Sequence, residues 1–438
     1  MSHNPHNVQS GHLTRRKRWV IWVAFVIAWP SCQVQGGQPS LPDAVTIGQL
    51  LQILKERSPR VALARTKIEF AAAEVAGAKV LPNPKINYNR NDKIAGNQSA
   101  QFDGHQLQTS TVDIPLLIAG QRQVRIEAAE RGVKAAEADV DANYADLAHQ
   151  TWLIFAQLLA NEERVKVLQD ELQHLEKIKK IITGRAASGA ASQYEVLRID
   201  VEGTSMETRL ADAHAAVTGS AGEIGSLLQF PKWFPHGIGH LAPLGVSINL
   251  DELREQIERR NPSIEAARKA EYAADANIVS AKRERWPIPI VSLGSVWTNS
   301  PYSNTSYIGL SVELPLFDRK QGQIARAQAQ KQQALLSLQS LAAESRADLE
   351  RAAEILTQRK ATLAKFESEA LSRLPGLEQM AEDAYRFGKG GLLELLDATR
   401  ARTEIKLNHL SLLESLVKAE VDALAASGLL VDKAATTQ

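Results

Sequence analysis

Two acidic residues near the end of the chain have a spacing that could serve chemistry. Glu394 and Asp397 are three positions apart at the start of the last predicted helix, so both carboxylates lie on one face of that helix. In a symmetric oligomer the pair would become a ring of carboxylates, and such rings attract cations. The alternative is structural, because an acidic residue in the first turn of a helix interacts favourably with the helix dipole.

Two glycine-containing turns, at residues 183–193 and 387–391, join long predicted helices. Gly189 and Gly388 allow a tight reversal of the chain, and Lys389 follows the second glycine. Either the glycines serve the turn alone, or the turn also presents a surface to a partner.

The sequence predicts neither an enzyme nor a bound cofactor. It has no phosphate-binding loop and no nucleophile and base at a recognisable spacing. His236 and His240 have the spacing of a helical zinc site, but Pro235, Gly237 and Gly239 argue against a helix there. We therefore predict no metal site.

Residues 1–32 have the layout of a secretory signal peptide. Basic residues at 15–18 precede an apolar run at 19–29, which is too short for the alternative of a membrane anchor. Cys32, the only cysteine, follows directly. It either becomes a lipidated first residue or is removed by cleavage beyond it.

Composition points to an elongated helical protein. Aromatic residues are only 5% of the 438, while alanine is abundant, which suits close helix packing. The formal net charge is +1, from 51 basic and 50 acidic residues, so no overall field would recruit nucleic acid.

Long helices dominate the predicted structure. Residues 120–182 contain no proline, and their apolar residues repeat every 3.5 positions, as in a coiled coil. A helix of this length extends roughly 95 Å. It must pack against other long helices rather than form part of a compact core.

The chain is predicted to contain an internal tandem duplication. Pro82-Asn83-Pro84 and Pro287-Ile288-Pro289 each mark a change from helix to strand. The first repeat spans residues 45–228, with a β-hairpin at about 85–117 and long helices at 120–182 and 190–228. A connector at 229–247 leads to the second repeat at 248–427, with a hairpin at about 288–317 and long helices at 322–387 and 391–427. Pro375-Gly376 should break the first of these helices after about residue 372. A disordered tail is predicted at 428–438. We expect the connector to lie against the outside of the helices.

This organisation provides only four strands. Beyond residue 32 no apolar run is long enough for a membrane-spanning helix, so any crossing must use strands. Open sheet edges are not tolerated in lipid, so the chain would have to share strands, and a dimer with eight strands or a trimer with twelve would both close a barrel. A different class of protein, a periplasmic coiled-coil scaffold or adaptor without a channel, would explain the long helices but not the hairpins.

Three motifs resemble the outer-membrane efflux protein family, the TolC-like exit ducts. Two follow strands, Leu116-Leu117-Ile118-Ala119-Gly120-Gln121-Arg122 and Leu316-Phe317-Asp318-Arg319-Lys320-Gln321-Gly322. The third runs from Ala384 to Ala398 and contains Tyr-X-X-Gly and Leu-Leu-Asp-Ala. The resemblance covers residues 45–427.

The resemblance implies a mainly α-helical protein with membrane β-structure. In this family a homotrimer forms a twelve-strand barrel in the lipid of the Gram-negative outer membrane, which continues as a long helical tunnel through the periplasm. It also implies a periplasmic adaptor and an inner-membrane resistance-nodulation-division pump. The pattern is similar to the subfamily for heavy metals. Only three methionines occur, which favours divalent metals over soft monovalent ones; export of drugs or other small molecules is the alternative.

The resemblance also assigns roles to residues. It implies that Glu394, Asp397, Glu195 and Tyr385 lie at the tunnel constriction, although Tyr385 could equally be a packing aromatic. It implies that Gly189, Gly388 and Lys389 lie at adaptor-contacting tips. Well-known members have an arginine where this chain has Gly390, so a lock based on that side chain is not expected here.

Overall fold

The computed structural model describes residues 41–92, 106–246, 250–299 and 303–430 of the chain. The predicted signal peptide, Cys32 and the end of the predicted tail lie outside the described residues. Within those ranges the strands are β1 (Ala44–Val45), β2 (Lys85–Asp92), β3 (Gln106–Pro115), β4 (His236–Gly237), β5 (Ile290–Thr298) and β6 (Asn304–Ser311). The helices are α1 (Ile47–Arg57), α2 (Pro59–Lys79), α3 (Gln121–Ala187), α4 (Gln193–Leu227), α5 (Leu250–Arg260), α6 (Pro262–Arg283), α7 (Gln321–Glu369), α8 (Leu374–Arg386) and α9 (Leu392–Ala426).

The longest helix is α3, with 67 residues and a length of roughly 100 Å. It continues to Ala187, beyond the predicted end at 182, because Gly184 is accommodated within the helix. Its buried side chains recur in three- and four-residue steps, as the heptad pattern predicts. No helix in the described ranges combines the length and apolar content needed to cross a membrane.

The second long helical segment is interrupted. α7 ends at Glu369, a single 3-10 turn covers Leu371–Arg373, and α8 follows with Pro375 in its first turn. Proline is tolerated there because the first-turn N–H groups have no partner within the helix. The predicted break at Pro375-Gly376 is therefore confirmed, and the range 322–387 contains two helices.

The end of α9 corrects the predicted start of the tail. Gly428, at φ +74°, ends the helix, and its N–H donates to the Ala425 oxygen at 3.0 Å. Leu430 is buried. Residues 428–430 thus belong to the packed structure, because an apolar side chain follows the glycine and reaches the core.

Four strands form one antiparallel sheet in the order β2-β3-β5-β6. The two hairpins meet at β3 and β5, where Pro115 lies opposite Ile290 and Leu107 opposite Thr298. A Cβ at Gly294 would lie 2.0 Å from the Ser110 oxygen, so only glycine permits this close approach. β2 and β6 are the edge strands, and neither outer edge is paired among the residues described.

The two faces of this sheet differ in chemistry because side chains alternate along each strand. One face carries an apolar row across all four strands, Ile86, Val112, Leu293 and Ile308. The opposite face carries polar residues, including Lys85, Asn87, Thr111, Asp113, Ser292 and Thr305. On this polar face Asn87 Nδ2 donates to Asp113 Oδ2 at 2.6 Å.

A separate strand pair, which the sequence did not predict, anchors the connector. β1 and β4 pair in parallel over two residues, and Trp233 Nε1 donates to the Pro42 oxygen at 2.9 Å. The fully buried Glu420 of α9 accepts the N–H groups of Leu244 at 2.6 Å and Val246 at 3.1 Å. The connector is therefore held against the helices by buried contacts.

Candidate functional site

The predicted site residues lie where the two helix turns meet. One buried apolar cluster contains Ile182 of α3, Ile199 of α4, Tyr385 of α8 and Leu392 and Leu396 of α9. Four helix ends are thus packed together by the same core. The structure brings Glu195 and Tyr385 into this one region, with Glu394 and Asp397 on the adjoining α9.

The first turn reverses the chain after α3. Gly189 adopts φ +76°, a conformation that costs other residues energy. Its N–H donates to the Ala186 oxygen at 3.0 Å, and the Ala190 N–H donates to the Arg185 oxygen at 2.8 Å. These two bonds form the usual glycine termination of a helix.

The second turn repeats this geometry after α8. Gly388 adopts φ +71° and donates to the Tyr385 oxygen at 3.2 Å. The Lys389 N–H donates to the Ala384 oxygen at 2.8 Å. Gly189, Gly388 and Lys389 are all exposed, so both turns present their tips to the surroundings.

The glutamates six residues after these glycines cap the next helices. Glu195 Oε2 accepts the Ser192 N–H at 2.6 Å, and Ser192 Oγ accepts the Glu195 N–H at 3.3 Å. In the second turn Glu394 Oε2 accepts the Gly391 N–H at 3.3 Å. The structural interpretation of these acids therefore has direct support, because each satisfies a free N–H at a helix start.

Glu394 and Asp397 form a pair of carboxylates at the start of α9. Glu394 and Asp397 are both exposed, and no basic side chain lies within 4 Å of either in the part of the chain that the structure describes. Asp397 lies near Arg400, whose pKa is raised mainly by a hydrogen bond to Glu202 and, to a smaller degree, by Asp397. The arrangement can attract a cation without first breaking a salt bridge.

Arg400 joins α9 to α4. Its Nε donates to Glu202 Oε1 at 2.7 Å and its Nη2 donates to Glu202 Oε2. The hydrogen bond from Arg400 lowers the pKa of Glu202, despite the opposing effect of burial. A two-bond pair of this kind fixes the relative position of the two helices.

Sequence reasoning missed Arg185. This residue of α3 places its guanidinium 4.7 Å from the centroid of the Tyr385 ring, and its Nη1 donates to the Tyr385 oxygen at 2.9 Å. The only sequence signal was a basic residue in the last turn of a helix, which is commonly explained by the helix dipole. Its partner is 200 positions away and could not be identified from spacing.

Tyr385 is buried with its hydroxyl unpartnered among the described residues. Burial raises the pKa of Tyr385, the negative charge of Glu195 raises it further, and Arg185 opposes both effects. The tyrosine is thus neutral and held by its neighbours. The expected alternative of a packing aromatic agrees with this burial.

Position 390 is sterically restricted. A Cβ there would lie 2.7 Å from Glu394 Oε2 and 3.1 Å from the Ala384 Cβ. Contact with the flexible carboxylate can be relieved, but the contact with α8 needs a small shift. The guanidinium group that lies at these turns belongs to Arg185 of α3 and not to position 390.

The two histidines of the connector lie elsewhere. His236 Nδ1 is 3.3 Å from Glu162 Oε1, and His240 Nδ1 is 3.2 Å from Glu163 Oε1. Across the described residues, no group of three or more His, Cys, Asp or Glu side chains is arranged to hold a metal ion.

Comparisons with known proteins agree with this architecture. Residues 50–227 match the family described as outer membrane efflux protein. The cobalt-zinc-cadmium resistance protein CzcC of Cupriavidus metallidurans is 25% identical over 376 residues, which cover 84% of this chain and 86% of that protein. The nickel-cobalt-cadmium resistance protein NccC of Alcaligenes xylosoxydans xylosoxydans is 28% identical over 311 residues, covering 66% and 65%.

The fold is also that of a solved channel. The open-state structure of the Neisseria gonorrhoeae MtrE outer membrane channel has a TM-score of 0.67 at 20% identity, covering 88% of this chain and 89% of that one. The match over residues 50–227 and the two relatives indicate an efflux channel of the outer membrane that is similar to the outer membrane efflux protein family, and the likeness to the solved channel shows its fold.

Proposed function

We propose that three copies of the chain form one exit duct with a shared twelve-strand barrel. The observation that carries this proposal is the four-stranded sheet, which has one apolar face, one polar face and two unpaired edges. Neighbouring strands are all antiparallel, so β2 and β6 run in opposite directions. β6 of one copy can therefore pair antiparallel with β2 of the next, which removes both edges.

The two faces give the barrel its orientation. The apolar row that includes Ile86 and Ile308 faces lipid, and the polar row that includes Asn87 and Asp113 lines a water-filled lumen. The four helices that flank the hairpins, α2, α3, α6 and α7, all connect to the same end of the sheet, so α3 and α7 extend the duct into the periplasm. The order of helices and strands before and after the connector supports the proposed repeats at 45–228 and 248–427.

The far end of the helices is the proposed constriction. Glu394 and Asp397 from three copies would give up to six exposed carboxylates, a ring that favours cations over anions. Glu195 and Tyr385 belong to the same region, where Tyr385 and Arg185 hold the two turns together. The exposed tips at Gly189, Gly388 and Lys389 are the proposed contacts for a periplasmic adaptor, which connects the duct to an inner-membrane resistance-nodulation-division pump.

We infer that the exported substrate is a divalent heavy-metal cation. The names of CzcC and NccC, which are resistance proteins for cobalt, zinc, cadmium and nickel, support this substrate class. The exposed acids of α9 are compatible with it, since hard and borderline cations prefer oxygen ligands or hydrated passage over thioethers.

Zinc flux into proteoliposomes tests the proposed duct and its substrate together. Wild-type protein should admit Zn²⁺ to an entrapped fluorescent indicator passively, without nucleotide or an ion gradient. A boiled sample and protein-free vesicles serve as controls. Recovery of the chain as a water-soluble particle that does not insert would contradict the duct, and would favour a coiled-coil scaffold.

A further inference from the structure

Basic residues concentrate where the sheet meets the helices. We define the junction collar as residues 79–84, 116–125, 282–289 and 314–322. It contains eight basic and two acidic residues, a net charge of +6, in a chain whose formal net charge is +1. The remainder of the chain is therefore net acidic, and the positive charge is local.

The four segments of the junction collar form one structure. The Leu116 N–H donates to the Pro289 oxygen at 2.8 Å, which continues the pairing of β3 and β5. Arg122 Nε donates to the Lys79 oxygen at 2.9 Å, and Gln121 Nε2 donates to the Trp286 oxygen at 3.4 Å. The fourth segment follows β6, which pairs with β5.

Most of these charges have no acidic partner. Arg125 pairs with Glu284 at 3.0 Å, and Lys320 approaches Asp318 at 3.7 Å. The other six basic residues are exposed, and none has a carboxylate within 4 Å in the described ranges: Lys79, Arg122, Lys282, Arg283, Arg285 and Arg319. Arg122 and Arg319 each donate Nε to a main-chain oxygen, and the charges of all six remain available to anions.

Apolar residues place the junction collar at a lipid boundary. Leu314 and Leu316 follow β6 and are well exposed, as are Ile308 and Leu310 within that strand. Phe317 is 91% exposed. Large exposed apolar and aromatic residues beside basic ones are typical of a membrane–water interface.

We propose that the junction collar binds the phosphate groups of anionic phospholipids in the periplasmic leaflet of the outer membrane. This inference rests on the membrane-inserted trimer proposed above. The apolar side chains lie among the acyl chains, and the six free cations reach the headgroups from the aqueous side. A leaflet that carries negative lipid complements this charge, whereas zwitterionic lipid does not.

Native mass spectrometry of detergent-solubilised trimers tests the junction collar. Wild-type protein is titrated with phosphatidylglycerol or with phosphatidylcholine of identical acyl chains, alongside the variant Lys282→Gln/Arg283→Gln/Arg285→Gln. The control Lys177→Gln/Lys180→Gln/Arg359→Gln removes three exposed cations from helix regions remote from the sheet. Each basic residue near an anionic surface contributes about fivefold in binding, so we expect wild type and control to prefer phosphatidylglycerol by at least about tenfold, and the collar variant to lose most of this preference.

Equal binding of the two lipids by wild type, or an undiminished preference in the collar variant, would overturn the inference. A shift in ion selectivity with an unchanged lipid preference in the collar variant would also overturn the inference. It would show that the three basic residues line the lumen instead of facing lipid. If the triple variant fails to assemble, Arg319→Gln and added salt supply the test, since both should weaken the preference. A conducting trimer without lipid preference refutes only the junction collar, whereas a soluble monomer refutes the proposed duct itself.

Discussion

Arg185 at the end of α3 stacks its guanidinium 4.7 Å from the centre of the Tyr385 ring at the end of α8. It also donates to the main-chain oxygen of Tyr385, so one side chain joins the two turns through charge and hydrogen bond. The turns carry the residues proposed for the constriction. This contact between α3 and α8 therefore holds the two turns together.

Removing this contact should loosen the constriction. We expect Arg185→Ala to increase single-channel conductance in planar bilayers and to lower stability by about 1–2 kcal/mol, the range for a partly buried cation–π contact. Arg185→Lys should have a conductance and a stability between those of wild type and Arg185→Ala, because lysine keeps the charge but loses the planar stack. Arg359→Ala, at an exposed position of α7, serves as the control; wild-type conductance in Arg185→Ala would show that the contact does not restrain the turns.

The exposed acids of α9 should set ion selectivity. Glu394→Gln with Asp397→Asn keeps the size of both side chains and the acceptor that caps Gly391, but removes up to six charges from the proposed ring. We expect the ratio of cation to anion permeability, measured from reversal potentials in a salt gradient, to fall severalfold.

Glu255→Gln on α5 removes an exposed acid away from the turns and should leave that ratio unchanged. Unaltered selectivity in the double variant would leave Glu394 with its capping role only. Glu195→Gln should have a smaller effect, because Glu195 is less exposed than either acid of α9.

Two substitutions in the second turn should change stability in opposite directions. Gly388→Ala places a side chain at φ +71° and should destabilise the turn by about 1 kcal/mol. Gly391→Ser occupies open space at the start of α9 and should stabilise it by about 0.3 kcal/mol, because serine is only slightly better than glycine at a helix start. Denaturant unfolding measures both, and equal effects of the two changes would contradict the assigned turn geometry.

Acid should weaken the contact between α4 and α9. Arg400 lowers the pKa of Glu202 below its usual 4.5, so the ionised carboxylate stabilises the folded state above that pH. This stabilisation is lost as the pH falls from about 4.5 through the lowered folded pKa. Arg400→Gln should flatten this part of the stability profile, which thermal unfolding between pH 3 and 6 would reveal; a profile identical to wild type would exclude the pair as its cause.

Local sequence patterns predicted where the strands begin but not the tertiary contacts at the two turns and at the connector. β2 begins at Lys85 and β5 at Ile290, directly after the two Pro-X-Pro motifs, because proline stops a helix and favours extended backbone. α3 extends beyond the predicted end at 182 to Ala187, because one interior glycine costs a long helix only about 1 kcal/mol.

Long-range contacts had no comparable signal. Arg185 with Tyr385 and Glu420 with the connector each join residues more than 170 positions apart, and nothing near either residue in the sequence identifies its partner. The two-residue pairing of β1 and β4 is too short to produce an alternation. The sheet and long helices follow from periodicity, whereas the structure of the turns depends on tertiary packing.

Cross-linking of the sheet edges tests the shared barrel most directly. Asn89 in β2 and Thr305 in β6 both belong to the polar face of the sheet, and within one chain their strands are separated by two others, or about 14 Å. In a Cys32→Ser background, Asn89→Cys with Thr305→Cys is treated with a bifunctional maleimide shorter than this separation. A barrel of three copies should give linked dimers and trimers, with the covalent trimer as the largest product. Monomers alone, or a series that ends at the dimer, would contradict it.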